Sequence, residues 1–319
     1  MNGHRVSIDL AAVTNADGDH LTTLAWGDPV EVLAERSDRV EVRLTSFNEQ
    51  PDGSLTPFSI EGRIRKRDRS SGRRLERVVE PAEADRVLKL DFVDVQQGDG
   101  SLIQTPAGKV ILVDGGDNQL FARYLASRYR GTSADAPQPI ACIVVSHGDA
   151  DHFAGLSEIR ESETLDNARK RIFIQPERVY HNGLVKRPSS VKEREQLGTT
   201  ATSRGRLMLT ELVDDLREVS PESMNRPFKT WRTTLNHWTQ RGPIDVQRLE
   251  RGDDECFDFL ADEGLRVEVL GPITRTVKRK PALPFLREPV RTFGHPSRKP
   301  QTRPGPYSAS HTINGHSIV

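Results

Sequence analysis

The apolar positions of this chain follow two rhythms. Across residues 1–67, short apolar runs recur at 6–10, 21–26, 30–34, 40–44 and 58–64, divided by Gly-Asp, Ser-Asp and Asp-Gly pairs. Runs of this length between turn residues predict β-strands in a small all-β unit. From residue 88 the pattern changes. Strands are predicted at 88–95, 101–104 and 110–113, with Gly98, Gly100 and Gly108 at the turns, and a helix from 118 to 129. Residues 140–145 form an unbroken apolar run rich in β-branched side chains, which predicts a strand buried on both faces. Phe153-Ala154-Gly155-Leu156 then opens an amphipathic helix with Leu156 and Ile159 on its apolar face.

Further along, 171–174 reads as a strand that 179–180 extends, and 191–241 reads as mainly helical, including 207–216. In 228–242, Trp231, Leu235 and Trp238 fall on one stripe, which Gly242 and Pro243 end; the stripe reads as core, and His237 beside it as no ligand. A last strand is predicted at 265–270. These elements divide the chain into an all-β unit at 1–67, a charged linker at 68–86 and an α/β unit at 87–319. The stretch 62–77 is dense in arginine, as a solvated linker or a segment lying along a phosphate backbone would be.

Composition narrows the class. The 319 residues carry 46 Lys+Arg against 46 Asp+Glu, so any polyanion must be met by local charge. Cys142 and Cys256 stand alone and make no disulfide framework. No run approaches a membrane span and the N-terminus has no apolar leader, so a cytoplasmic location without a membrane partner is expected.

The candidate chemistry lies directly after the 140–145 strand. Six residues hold His147, Asp149, Asp151 and His152, with Gly148 and Ala150 between the first three. A polar loop accounts for one histidine. Four ligand-type side chains at the end of a buried strand are better explained by a divalent cation that takes imidazole nitrogens and carboxylate oxygens. His147 and Asp149 are two apart, so an extended backbone points both the same way.

The H-x-D-x-D-H pattern after an apolar strand resembles the metallo-β-lactamase-fold hydrolases. The segments D-V-x-Q-G-D at 94–99 and V-D-G-G at 113–116 resemble, more narrowly, the ComEC-type competence-protein branch. The resemblance implies an αββα sandwich with two divalent metal ions, zinc first; the harder Asp149 makes Mn²⁺ or Mg²⁺ a plausible alternative. It implies one metal on His147 and Asp149 and a second on Asp151 and His152, with Asp151 also taking a proton from water. Asp114, and more weakly Asp99, would orient the ligands. His316, or else His311 or Asn314, would approach from the terminal segment, which resembles that branch's N-x-x-S-[IV]-V strand. His181 is a candidate substrate contact. In complete members a G-D strand and an H-H-G segment follow; neither is present by Val319, so a truncated product is expected.

The first unit resembles bacterial SH3-like domains, which implies a peptide, protein or nucleic-acid ligand, or simple packing or dimerisation. A Pro-rich basic insertion is expected at 273–310, with Arg275, Lys278, Arg279, Lys280, Arg287, Arg291, Arg298, Lys299 and Arg303 against Glu288. It is expected to be a mobile loop, either simply solvated or, by its charge, guiding a polyanion towards the metals. The leading expectation is a metal-dependent phosphodiesterase or nuclease. The alternatives are hydrolysis of a small ester, thioester or lactone, and a non-catalytic binding module.

Overall fold

The computed structural model describes residues 3–50, 54–68, 71–82, 87–288 and 305–319. The chain divides into two compact units, Met1–Val87 and Leu88–Val319.

The first unit is one antiparallel sheet of seven strands. Their order is His20–Ala25, Leu10–Thr14, Leu55–Arg65, Arg39–Glu49, Pro29–Glu35, His4–Val6, Val79–Pro81. Its longest pairing runs from Arg39 opposite Arg65 to Glu49 opposite Leu55. Alternation turns Val40, Val42 and Leu44 inward, where they meet Val6, Val13, Val30 and Ile64. The 68–86 stretch, expected as a linker, supplies part of this unit. Val78 and Val79 are buried, and Val79–Pro81 pairs with His4–Val6. The arginine-rich stretch likewise begins inside the strand Leu55–Arg65, and Lys66 beside it is buried in an ion pair with Glu35.

The second unit is mixed α/β, built on a six-stranded sheet ordered Asp245–Arg248, Arg178–His181, Cys142–Val144, Val110–Asp114, Gly100–Gln104, Lys89–Phe92. The first four are parallel and the last two antiparallel. Three helices supply the core on one face: α1 (Leu120–Arg128), α2 (Ala150–Ser162) and α3 (Arg226–Thr239). Phe121, Leu125, Phe153, Leu156, Trp231 and Trp238 pack there with Leu102, Leu112, Ile143 and Val179. The alternate residues Ile111, Cys142, Val144 and Tyr180 face a second cluster closed by Phe257 and Leu260 of the 3₁₀ segment Asp254–Glu263. The arrangement is consistent with the layered fold expected, and residues 140–145 are buried on both faces. On the far face, where a four-layer sandwich carries its second sheet, lies the 3₁₀ segment. No helix among the described residues is long and apolar enough to cross a membrane.

Three expectations change. Residues 207–216 are not helical. Arg206–Leu209 pairs with Thr200–Ser203 and Lys280–Pro284 in a four-stranded sheet, because Met208 and Leu209 bury against Ala282 and Leu283. The basic insertion is correspondingly anchored at its start: Arg275–Val277 and Lys280–Pro284 form a hairpin. Its residues 289–304, with Arg291, Arg298, Lys299 and Arg303, lie outside the described residues. Residues 265–270 form no assigned strand, though the Leu270 N–H donates to the Val319 carbonyl.

Leu156 is fully buried under the Asp114-Gly115-Gly116 turn; a Cβ on Gly115 would lie 2.8 Å from its Cδ2. Replacing Leu156 with Ala removes side-chain atoms at a junction that cannot collapse, and the expected cost is about 2–5 kcal/mol. Urea unfolding followed by tryptophan emission measures it.

Candidate metal centre

The register of two parallel strands builds the site. Val113 pairs with Val144, and Asp114, the last residue of its strand, ends beside Ser146. Asp114 takes φ = 56°, a left-handed conformation uncommon for a side-chain-bearing residue. Its carboxylate is almost wholly buried, at 3 % exposure, and three donors hold it. Oδ1 accepts from the Ser146 N–H at 2.7 Å; Oδ2 accepts from the Ser146 hydroxyl at 2.5 Å and from the His152 Nδ1–H at 2.8 Å.

The loops around this carboxylate sit too close for ordinary side chains. The Gly115 N–H donates to the His152 carbonyl and the Gly155 N–H to the Gly116 carbonyl, at 2.7 and 2.9 Å. A Cβ at Gly155 would lie 1.9 Å from the Gly115 carbonyl oxygen, and one at Gly98 1.6 Å from that of Asp151. The turn before α2 and its first coils are therefore clamped from both sides.

The hydrogen bonds fix the imidazole tautomers. The Ser146 hydroxyl gives its proton to Asp114, so at 3.1 Å its oxygen accepts from the His147 Nδ1–H. The lone pair of His147 is thereby placed on Nε2, a buried atom with no partner. His152, held through Nδ1, also carries its remaining lone pair on Nε2. The two rings lie 3.9 Å apart at 48°. Burial lowers the pKa of His147, and the neighbouring His152 lowers it further. For His152 burial acts in the same direction, but the hydrogen bond and charge of Asp114, with Asp151 and Asp99, outweigh it and raise the pKa.

The carboxylates are arranged differently from the expectation. Asp149 occupies the N-cap position of α2 but makes no capping bond with its side chain. Instead Oδ1 pairs with the Lys186 ammonium and Oδ2 accepts from the Asn314 Nδ2–H at 2.7 Å. Asp151 stands in the first turn of α2, where the helix dipole favours its charge. Asp99 lies 3.8 Å from His152 Nδ1. Among the described residues no three His, Cys, Asp or Glu side chains form a metal cage. The donor chemistry of the imidazole pair suits a divalent cation, but the paired cages expected from the sequence are not assembled. An ammonium already neutralises Asp149.

The other candidates lie elsewhere. The His316 Nε2–H donates to the Pro284 carbonyl at 2.8 Å, and Asn314 is the residue of the terminal segment that reaches Asp149. His311 lies near its own helix cap, Ser308. His181 is not placed to contact a substrate. It is 4 % exposed, donates from Nε2 to the Asp214 carbonyl at 3.2 Å and accepts the Gly183 N–H on Nδ1 at 3.0 Å. His237 pairs with Glu163 at 2.9 Å. The sequence reading missed Lys186, whose only signal is a Lys-Arg pair five residues beyond His181.

Residues 93–168 match the family model described as Metallo-beta-lactamase superfamily. That span includes the imidazole pair, Asp99, Asp114, Asp149 and Asp151, and excludes Lys186 and Asn314. No curated protein matches the chain, and no solved structure does.

Burial pushes the His181 pKa down to about 4. The unfolded chain takes up this proton near pH 6.5, whereas the folded chain resists it until about 4. Stability from this group is therefore complete above pH 6.5 and declines as pH falls toward 4, by on the order of 3 kcal/mol. His181→Gln is expected to flatten the fall in urea midpoint between pH 7 and 4.5, whatever its stability at neutral pH.

Proposed function

We propose that the second unit is a metal-dependent hydrolase of phosphodiesters. The observation that carries the reading is the buried, partnerless Nε2 of His147 beside a His152 whose Nδ1 is held by Asp114. Nothing in the local hydrogen bonding uses that nitrogen, and burying a polar atom without a partner costs free energy. A cation among the imidazoles removes the cost. The family match at 93–168 supports hydrolysis, since the superfamily is typically hydrolytic. The likeness of 94–99 and 113–116 to the ComEC-type branch supports a phosphodiester over a small ester, thioester or lactone.

In this reading His147 and His152 anchor the ion, Asp151 binds beside them and accepts a proton from water, and Asp114 keeps both imidazoles in the ligating tautomer. A bound divalent ion supplies Lewis acidity and acidifies water at neutral pH, with zinc the first choice and Mn²⁺ or Mg²⁺ alternatives. A second ion at Asp149 requires Lys186 and Asn314 to release it. The first unit is read as an SH3-like module for a peptide or protein partner, supported by its antiparallel strands around one valine-rich core.

One observation favours a second reading, a non-catalytic binding module. Both oxygens of Asp149 are satisfied by protein groups, as they would be in a scaffold that no longer takes metal. Metal content separates the two. After dialysis against Zn²⁺ or Mn²⁺, the hydrolase reading expects at least one ion per chain and cleavage of bis-p-nitrophenyl phosphate. Asp151→Ala is expected to abolish cleavage, and Asp114→Asn to weaken metal affinity roughly 10–100-fold. Stoichiometry near zero, or cleavage that survives Asp151→Ala, overturns the hydrolase.

A further inference from the structure

A cleft of about 700 Å³ opens beside Asp149, within the usual size of a ligand site. Four of its lining side chains are cationic, Lys186, Arg187, Arg226 and Lys229, and one is acidic, Glu193. The cations differ in how they are neutralised. Lys186 is paired with Asp149, and Arg187 with both oxygens of Glu211 at 2.7 and 2.8 Å. Arg226 and Lys229 are exposed, and neither side chain makes a hydrogen bond or ion pair with a described residue. Glu193 is partly used, its Oε1 accepting the Ala309 N–H at 2.6 Å.

The backbone fixes this rim. The Asn225 N–H donates to the Lys186 carbonyl at 2.9 Å, tying the start of α3 to the segment that carries Lys186 and Arg187. Two lining residues link the cleft to Asp149. Lys186 lines it and touches Asp149; Ser310 lines it, and its carbonyl accepts from the same Asn314 amide that reaches Asp149. Lys229 feels the charge of Glu222 but forms no ion pair with it. Two cations free of ion pairs, in a cleft whose Lys186 touches Asp149 beside the imidazole pair, suit a ligand with more than one anionic group.

We infer that this cleft is an extended substrate subsite, in which Arg226 and Lys229 hold the phosphates flanking the ester at the imidazole pair. The inference rests on the hydrolase reading and gives its substrate a form: a phosphodiester chain rather than a single phosphate ester. The chain is drawn in by charge and positioned through its backbone, so the subsite is indifferent to base sequence.

The test is binding of a fluorescently labelled single-stranded oligothymidylate in EDTA, where no hydrolysis competes. Fluorescence anisotropy is read from 50 to 200 mM salt. Arg226→Gln/Lys229→Gln is expected to weaken binding about tenfold at the lower salt and to reduce the salt slope by roughly 1.4, the share of two phosphate contacts on a single strand. Arg123→Gln/Arg130→Gln, on exposed residues of and just after α1, removes the same charge away from the cleft and is expected to leave binding within about twofold of the unsubstituted chain. No binding by the unsubstituted chain, no loss in the cleft variant, or an equal loss in both variants overturns the subsite. Failure of the hydrolase reading looks different: oligothymidylate binding persists with the cleft dependence intact, while metal uptake is absent.

Discussion

A single buried carboxylate organises the centre. Asp114 is held by a backbone amide, a serine hydroxyl and an imidazole, and through them it orients both His147 and His152. A buried carboxylate requires such donors, since an unpaired charge there would cost several kcal/mol. The unusual backbone at Asp114, the close approach of Gly115 to Gly155 and the contact of Gly98 with Asp151 belong to the same arrangement. Each brings main chain near enough for the carboxylate to be enclosed.

The electrostatics of the imidazole pair follow from this arrangement. His147 is kept neutral by burial and by its neighbour, and a neutral imidazole is the ligating form. His152, close to the same carboxylate, holds a proton more readily. Asp149 adds a weaker pull on the His147 proton but is held by other partners. Its charge is met by Lys186 and Asn314, which join the centre to the basic cleft. A cation of the chain itself, Lys186, therefore stands between the candidate site and the cleft.

Much of the second unit was legible from residue order. A six-residue apolar run followed by four ligand-type residues marks a buried strand and a polar turn without tertiary information. The tryptophan stripe of α3 was equally plain, because one helix face repeats every three or four residues. Residues 207–216 read as helix from their spacing, since short apolar runs fit either period until a partner strand is known. The stretch 68–86 reads as linker because its larger apolar residues, Leu75, Val78 and Val79, form no periodic pattern until His4–Val6 lies beside them.

Local sequence thus determined which candidate residues cluster: imidazoles and carboxylates at a strand end, with a further aspartate before two glycines. Only the folded chain decided their partners. It turned Asp114 onto Ser146 and His152, gave Asp149 to Lys186 and Asn314, directed His316 to the Pro284 carbonyl and enclosed His181. These pairings join residues up to 165 positions apart. They depend on strand register and loop packing, and neither can be read from the spacing of ligands along one segment.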